Sequence, residues 1–140
     1  MIVYIDASAL VKRYVDEVGS PSVRTVVARE VIATSRLSEL EIGSGLVRRF
    51  REAGISARNL ERTLSSLRED IRSIAVVELD EEVTGEAVAL LIRHRLRASD
   101  AVQLASCLHL RRLASTEVRL LAYDNRLNDA ARAEGLAVGV

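Results

Sequence analysis

No tryptophan, one phenylalanine and three tyrosines occur in the 140 residues, so a surface built to stack many bases in a row is not expected. A single cysteine, Cys107, excludes an internal disulfide and fits a reducing cytoplasm. The two histidines, His94 and His109, have no partner at HxxxH or HxxE spacing, which argues against zinc. No apolar stretch approaches the roughly 20 residues that span a bilayer. The opening apolar run is five residues long with no basic stretch before it, unlike a signal peptide. Formal net charge is zero, so the chain as a whole carries no electrostatic footprint for nucleic acid. Of the twenty basic residues only Lys12 is a lysine. Arginine suits bidentate phosphate contacts, though it is equally at home on a solvated helix face.

What is present is an apolar fraction of 49%, enough for one soluble domain over residues 1–140. "IVYI" (2–5) reads as a fully buried strand and "ASALVKRYV" turns to helical spacing. "GSPSVRTVVARE" begins a helix with Ser20 as N-cap and Pro21 at the first helical position. "VIAT" (31–34) is a second strand. Leu37, Leu40, Val47 and Phe50 recur at helical spacing, predicting a helix over 37–52 that Gly54 ends. Ser56 caps a polar helix to about Ser73, with Leu60, Leu64 and Leu67 on one side. "IAVVEL" (74–79) is the third strand. Asp80 caps a helix over 81–95 with Val83, Ala87, Leu90 and Leu91 inward, and Ser99 caps another through Leu113. "VRLLAY" (118–123) is the fourth strand, 126–134 the last helix with Gly135 its stop, and "LAVGV" a short fifth strand. Strands alternating with helices, without repeat or linker, predict an α/β/α domain around a mainly parallel sheet of four or five strands.

Ligands in such sheets bind outside the carboxyl ends of the strands. Asp6 follows "VYI" and Asp124 follows "LLAY" there, while Asp100 in "RASDAVQLA" begins a helix. Each has a plain alternative as a helix cap or first-turn acid. With Ser8 and Ser99 available as caps, the carboxylates would be left for other work. Converging carboxylates repel unless a proton or cation lies between them, and all-oxygen ligands favour Mg²⁺ or Mn²⁺. A fourth acid belongs in "SRLSELEIGSGLVRR", where Glu39 falls close to the apolar arc and Glu41 at its Leu37 edge. Periodicity leaves both open. Gly43 and Gly45 in the same helix each cost about 1 kcal/mol relative to Ala, a cost usually met where another backbone comes close.

"VYIDASALVKRYVDEVGS", "SRLSELEIGSGLVRR", "LRASDAVQLA" and "LLAYDNRLNDAARAEGL" resemble, in order and spacing, the four motif regions of PIN domains. More narrowly they are similar to the VapC-type ribonuclease toxins of bacterial toxin–antitoxin pairs. The resemblance matches Asp6, Glu41, Asp100 and Asp124 to the four family acids and leaves Glu39 without a counterpart. Ser8 matches a small polar residue often found two after the first acid. Ala122 departs from the Thr or Ser frequent two before the last one. The resemblance implies Mg²⁺-dependent cleavage of an RNA phosphodiester, with Asp6, Asp100 and Asp124 holding one or two ions and Glu41 orienting or deprotonating a water. It also implies a small antitoxin, commonly a DNA-binding VapB-like protein, and a homodimer in the cytoplasm. Arg13, Arg93, Arg95, Arg97 and Arg126 lie near the motifs as candidates for gripping RNA. Asn128 and Asp129 lie a turn beyond the last acid, either as support for it or as solvated helix residues. His94, on the apolar side of its helix, reads as a packed, hydrogen-bonded residue.

Rival enzymes of similar architecture fit less well. A haloacid-dehalogenase-type phosphatase needs an Asp where Ser8 stands, and a response-regulator receiver needs a late lysine. A further alternative is a toxin-like protein that acts mainly as an antitoxin-binding partner, its acids engaging a partner's arginine.

Overall fold

A computed structural model describes residues 1–52 and 54–139. The apolar run Ile2–Ile5 forms β1, whose side chains alternate between two cores: Val3 and Ile5 enter one, Tyr4 the other. Asp6 ends the strand and starts α1 (Ala7–Leu10), which tightens into a 3₁₀ turn over Val11–Arg13. Next come α2 (Ser20–Arg29), β2 (Val31–Ser35), α3 (Arg36–Arg51) and α4 (Ala57–Ser73). Then follow β3 (Ala75–Val77), α5 (Glu81–Arg93), α6 (Ala98–Leu113), β4 (Val118–Leu121), α7 (Asn125–Ala133) and β5 (Ala137–Val138).

The five strands run parallel in the order β3-β2-β1-β4-β5. Apolar layers on both faces explain the unbroken apolar strands. One core packs α5, α6 and α7 through Leu90, Leu104, Leu108 and Leu127; the other packs α1 to α4 through Leu10, Val23, Ile42 and Leu67. After β1 the chain lays β2 and β3 on one side, then β4 and β5 on the other. The switch point therefore lies between β1 and β4, the place at the carboxyl edge where such sheets bind ligands.

Several expectations shift, for identifiable reasons. Gly19, not Ser20, caps α2: its φ of +94° suits a residue without Cβ, and a Cβ there would lie 2.7 Å from the Tyr123 ring. Ser20 is the first helical residue, its hydroxyl donating to the Val15 carbonyl. Arg97, not Ser99, is the N-cap of α6, without a side-chain bond. Leu91 is 39% exposed, because α5 turns Val83, Ala87 and Leu90 inward instead. Neither Gly43 nor Gly45 meets another backbone. Their nearest neighbours are the Leu64 side chain and the Arg48 guanidinium.

The largest shift is in α3. Its buried face is Ser38, Ile42 and Leu46, while Leu40 is 70% exposed. The arc of Leu37, Leu40 and Val47 is real, but it lines an open groove of about 860 Å³ toward α4. Leu64 and Leu79 add to its apolar wall, and Arg48 and Arg68 are among its basic residues.

Candidate active site

The four acids come to the carboxyl edge from four elements. Asp6 continues β1, and its backbone N–H still bonds the Leu121 carbonyl of β4 at 3.2 Å. Contrary to the expectation that Ser8 caps α1, Asp6 itself does so: Oδ1 accepts from Ala9 N at 3.0 Å. The Ser8 hydroxyl instead donates to the Asp6 carboxylate, 2.7 and 2.8 Å from its two oxygens, and accepts from Tyr123 N at 3.0 Å. Asp124 likewise caps α7, Oδ1 taking Leu127 N–H at 3.0 Å. A capping carboxylate keeps a second oxygen, so capping and ligation are compatible roles. At Ala122, where the resemblance leads one to expect a hydroxyl, the carbonyl is bonded by Asn128 Nδ2 at 3.0 Å, which ties α7 to the end of β4. The loop is also packed from below. Lys12 Nζ sits 4.5 Å from the centre of the Tyr123 ring, and Gly19 lies against its edge.

The structure separates the two glutamates of α3. Glu39 pairs with Arg36 at 3.5 Å and lines the groove. Glu41 lies on the inner side, where Oε1 accepts from Gln103 Nε2 at 2.9 Å. Asp100, half-buried in the first turn of α6, completes the set.

The electrostatics run as a chain. Burial raises Asp6, only 4% exposed, to about 6; Ser8 and Ala9 oppose this, and the Glu41 charge adds to it. Burial also raises Glu41, against the Gln103 bond, with the Asp100 charge adding. Burial raises Asp100 as well, and the Asp124 charge adds to it, with Arg97 and Arg126 pulling the other way. A cation near these carboxylates would relieve the mutual repulsion. Among the described residues, no three Asp, Glu, His or Cys side chains are gathered to clasp one ion directly. The donor set fits Mg²⁺, which keeps several waters and needs only one or two carboxylates. It does not fit zinc.

The other candidates divide clearly. Arg13 is held by Asp70 at 2.7 Å, and Arg93 by Glu134 at 2.9 Å. The side chains of Arg95, Arg97 and Arg126 are exposed and have no hydrogen-bond or ion-pair partner among the described residues. Arg95 and Arg126 line a cavity of about 610 Å³ with His94. His94 is hydrogen-bonded, Nε2 to Glu134 at 2.7 Å, as expected of a packed histidine. Cys107 is buried, its thiol pushed up to about 12 by desolvation. Asp129 is exposed and pairs with Arg132.

An all-parallel five-stranded sheet with acids at its switch point defines the class, and residues 3–133 match the family model of the PIN domain. The chain belongs to the PIN-domain family. Within it the chain stands with the VapC-type members: it is 32% identical over 137 residues to ribonuclease VapC46 of Mycobacterium tuberculosis, covering 97% of this chain and 95% of that protein. A toxin-antitoxin complex from Klebsiella pneumoniae is similar with a TM-score of 0.69 and 16% identity, covering 99% of this chain and 96% of that one. VapC20 of Mycobacterium tuberculosis, described as a sarcin-ricin loop cleaving toxin, has a TM-score of 0.67 and 17% identity, covering 91% of this chain and 94% of its own. At such identities these two structures speak to the fold alone.

No helix among the described residues is long and apolar enough to cross a membrane.

Proposed function

We propose that this chain is a Mg²⁺-dependent endoribonuclease acting as the toxin of a toxin–antitoxin pair in the cytoplasm. One observation carries the reading: Asp6, Glu41, Asp100 and Asp124 share one edge, where burial raises the first three and a neighbouring acid's charge adds to each. Perturbed carboxylates cluster at functional sites, and a cation among them would offset their repulsion. Asp6, Asp100 and Asp124 would hold Mg²⁺, or Mn²⁺ in its place, directly or through water. The ion when bound acidifies water and draws charge from a phosphoryl oxygen. Glu41 has Oε1 bonded to Gln103, which leaves Oε2 to orient or deprotonate the attacking water. Arg95, Arg97 and Arg126 would grip the RNA backbone around Asp100 and Asp124.

A small VapB-like antitoxin is the proposed partner, in keeping with the ribonuclease VapC46 likeness and the toxin-antitoxin complex among the structural neighbours. The groove between α3 and α4 offers it apolar area with basic residues around it. Val88, Leu91 and Ile92 form an exposed apolar stripe on α5, Ile92 being 83% exposed, and support a homodimer through that helix.

The test is cleavage of structured RNA by purified protein with millimolar Mg²⁺ or Mn²⁺, and with EDTA. Metal-dependent cleavage that EDTA abolishes is expected. Absence of cleavage with either metal would refute the nuclease and leave the role of an antitoxin-binding partner.

A further inference from the structure

Gln103 is not one of the four acids, yet it is buried to 2% exposure and hydrogen-bonded to one of them, Glu41. Its Oε1 accepts from the Tyr4 hydroxyl at 2.7 Å. Its Nε2 donates to Glu41 Oε1 at 2.9 Å and to Ser38 Oγ at 3.0 Å. Ser38 and Thr34 are hydrogen-bonded through their hydroxyls at 2.7 Å, and Thr34 bonds the Ile5 carbonyl at 2.6 Å. Tyr4, Thr34 and Ser38 are fully buried, so water does not complete these bonds.

The directions of these bonds follow from elementary chemistry. A carbonyl only accepts, so the one proton of Thr34 goes to Ile5, and Ser38 gives its proton to Thr34. Ser38 must then accept, and only Nε2 of Gln103 can supply it. Turning the amide over would set Oε1 against two acceptors, Ser38 Oγ and Glu41 Oε1, with nothing to donate between them. The amide therefore has one orientation, and it always presents N–H to Glu41. The network also spans the site. It ends on Ile5, the residue before Asp6, and begins one helical turn after Asp100, on the same face of α6.

We propose that Gln103, locked in orientation by Tyr4 and Ser38, is a positioning residue that fixes the Glu41 carboxylate relative to Asp6 and Asp100. Its kinetic consequence rests on the ribonuclease reading; its geometric content does not. A side chain in this role does not touch RNA, so its loss slows the reaction without weakening substrate binding.

The experiment compares wild type, Gln103→Met, which keeps the volume but not the amide, and Tyr4→Phe, which removes only the hydroxyl. Crystal structures of the metal-free proteins are read for the Glu41 carboxylate, and RNA cleavage is read as kcat and KM separately. In Gln103→Met, Glu41 should leave its position and kcat should fall about 10–100-fold at unchanged KM. Tyr4→Phe should give a smaller fall of the same kind, and it carries the test if Gln103→Met does not fold. A merely structural role would lower the melting temperature yet leave kcat intact well below it. Glu41 unmoved, or kcat unchanged in a folded variant of an active wild type, would overturn the proposal. Wild type inactive with metal would instead refute the ribonuclease reading. The Glu41 position in the variant would then still decide the geometric proposal.

Discussion

The Ser8 hydroxyl lies 2.7 and 2.8 Å from the two carboxylate oxygens of Asp6 and takes the backbone N–H of Tyr123, the residue before Asp124. One side chain thereby pins the acid of β1 to the loop that carries the acid of β4. The pair spans the switch point of the sheet, so the spacing of the two carboxylates is set by fixed bonds and not by loop drift.

The stability of the metal-free protein should depend on Asp6. Burial raises it from 3.8 to about 6 in the folded state, so the unfolded chain loses that proton first. Stability should fall as pH rises between about 4 and 6, by roughly 3 kcal/mol from this group alone. Asp6→Asn should flatten this slope and melt higher than wild type in EDTA at pH 7, while cleavage falls at least about 100-fold. Melting curves from pH 4 to 8 with EDTA check the first part. An unchanged slope in the variant would contradict it.

Glu41 and Glu39 lie on different sides of α3 and should differ accordingly. Glu41→Gln is expected to reduce kcat by about 100-fold or more, in the range for loss of a general base. Glu39→Gln, which loses only its exposed pairing with Arg36, should keep kcat within about threefold. The opposite ranking in a cleavage assay would reject the inner-side assignment.

Asp100→Asn relieves repulsion with Asp124 and should be at least as stable as wild type in EDTA. Metal that binds only the folded site adds about 2.7 kcal/mol at one hundred times its Kd. Wild type should gain melting temperature in millimolar Mn²⁺, and the variant should lose most of that gain. A variant destabilised in EDTA yet gaining fully from Mn²⁺ would remove Asp100 from the metal site.

Free and committed arginines should separate. Arg97→Ala and Arg126→Ala should each raise KM for RNA several-fold and reduce its salt dependence, as expected of phosphate contacts. Arg13→Ala loses the bond to Asp70 and should cost about 1 kcal/mol of stability, with KM unchanged. Salt titrations of binding, alongside thermal melts, distinguish the two behaviours.

Gly85 sits mid-helix in α5 with open space where a Cβ would project. Gly85→Ala should stabilise the fold by about 0.5–1 kcal/mol and leave cleavage unaltered. A melting temperature no higher than wild type would show a constraint on α5 that the fold does not reveal.

The sequence alone determined the order of strands and helices, because apolar runs and helical spacing are local. It also determined the acids at the ends of β1 and β4, since a charge closing an apolar run stands out from its neighbours. Asp80 and Ser56 as caps were legible for the same reason, each bonding three residues along. Tertiary structure decided what depends on partners distant in the chain. The arc of Leu37, Leu40 and Val47 was visible as a period, but a period states which residues share a face and not what that face meets. Here it meets a groove, while Ile42 and Leu46 meet the core. That rotation separates Glu41 from Glu39. The Gln103 network was invisible for the same reason, its bonds joining residues 62, 65 and 99 positions apart. The cap at Gly19 was likewise set by what packs beside it, Tyr123. Local chemistry wrote the elements and their terminal charges; only the packing of α3 and α6 against the sheet fixed which of those charges face one another.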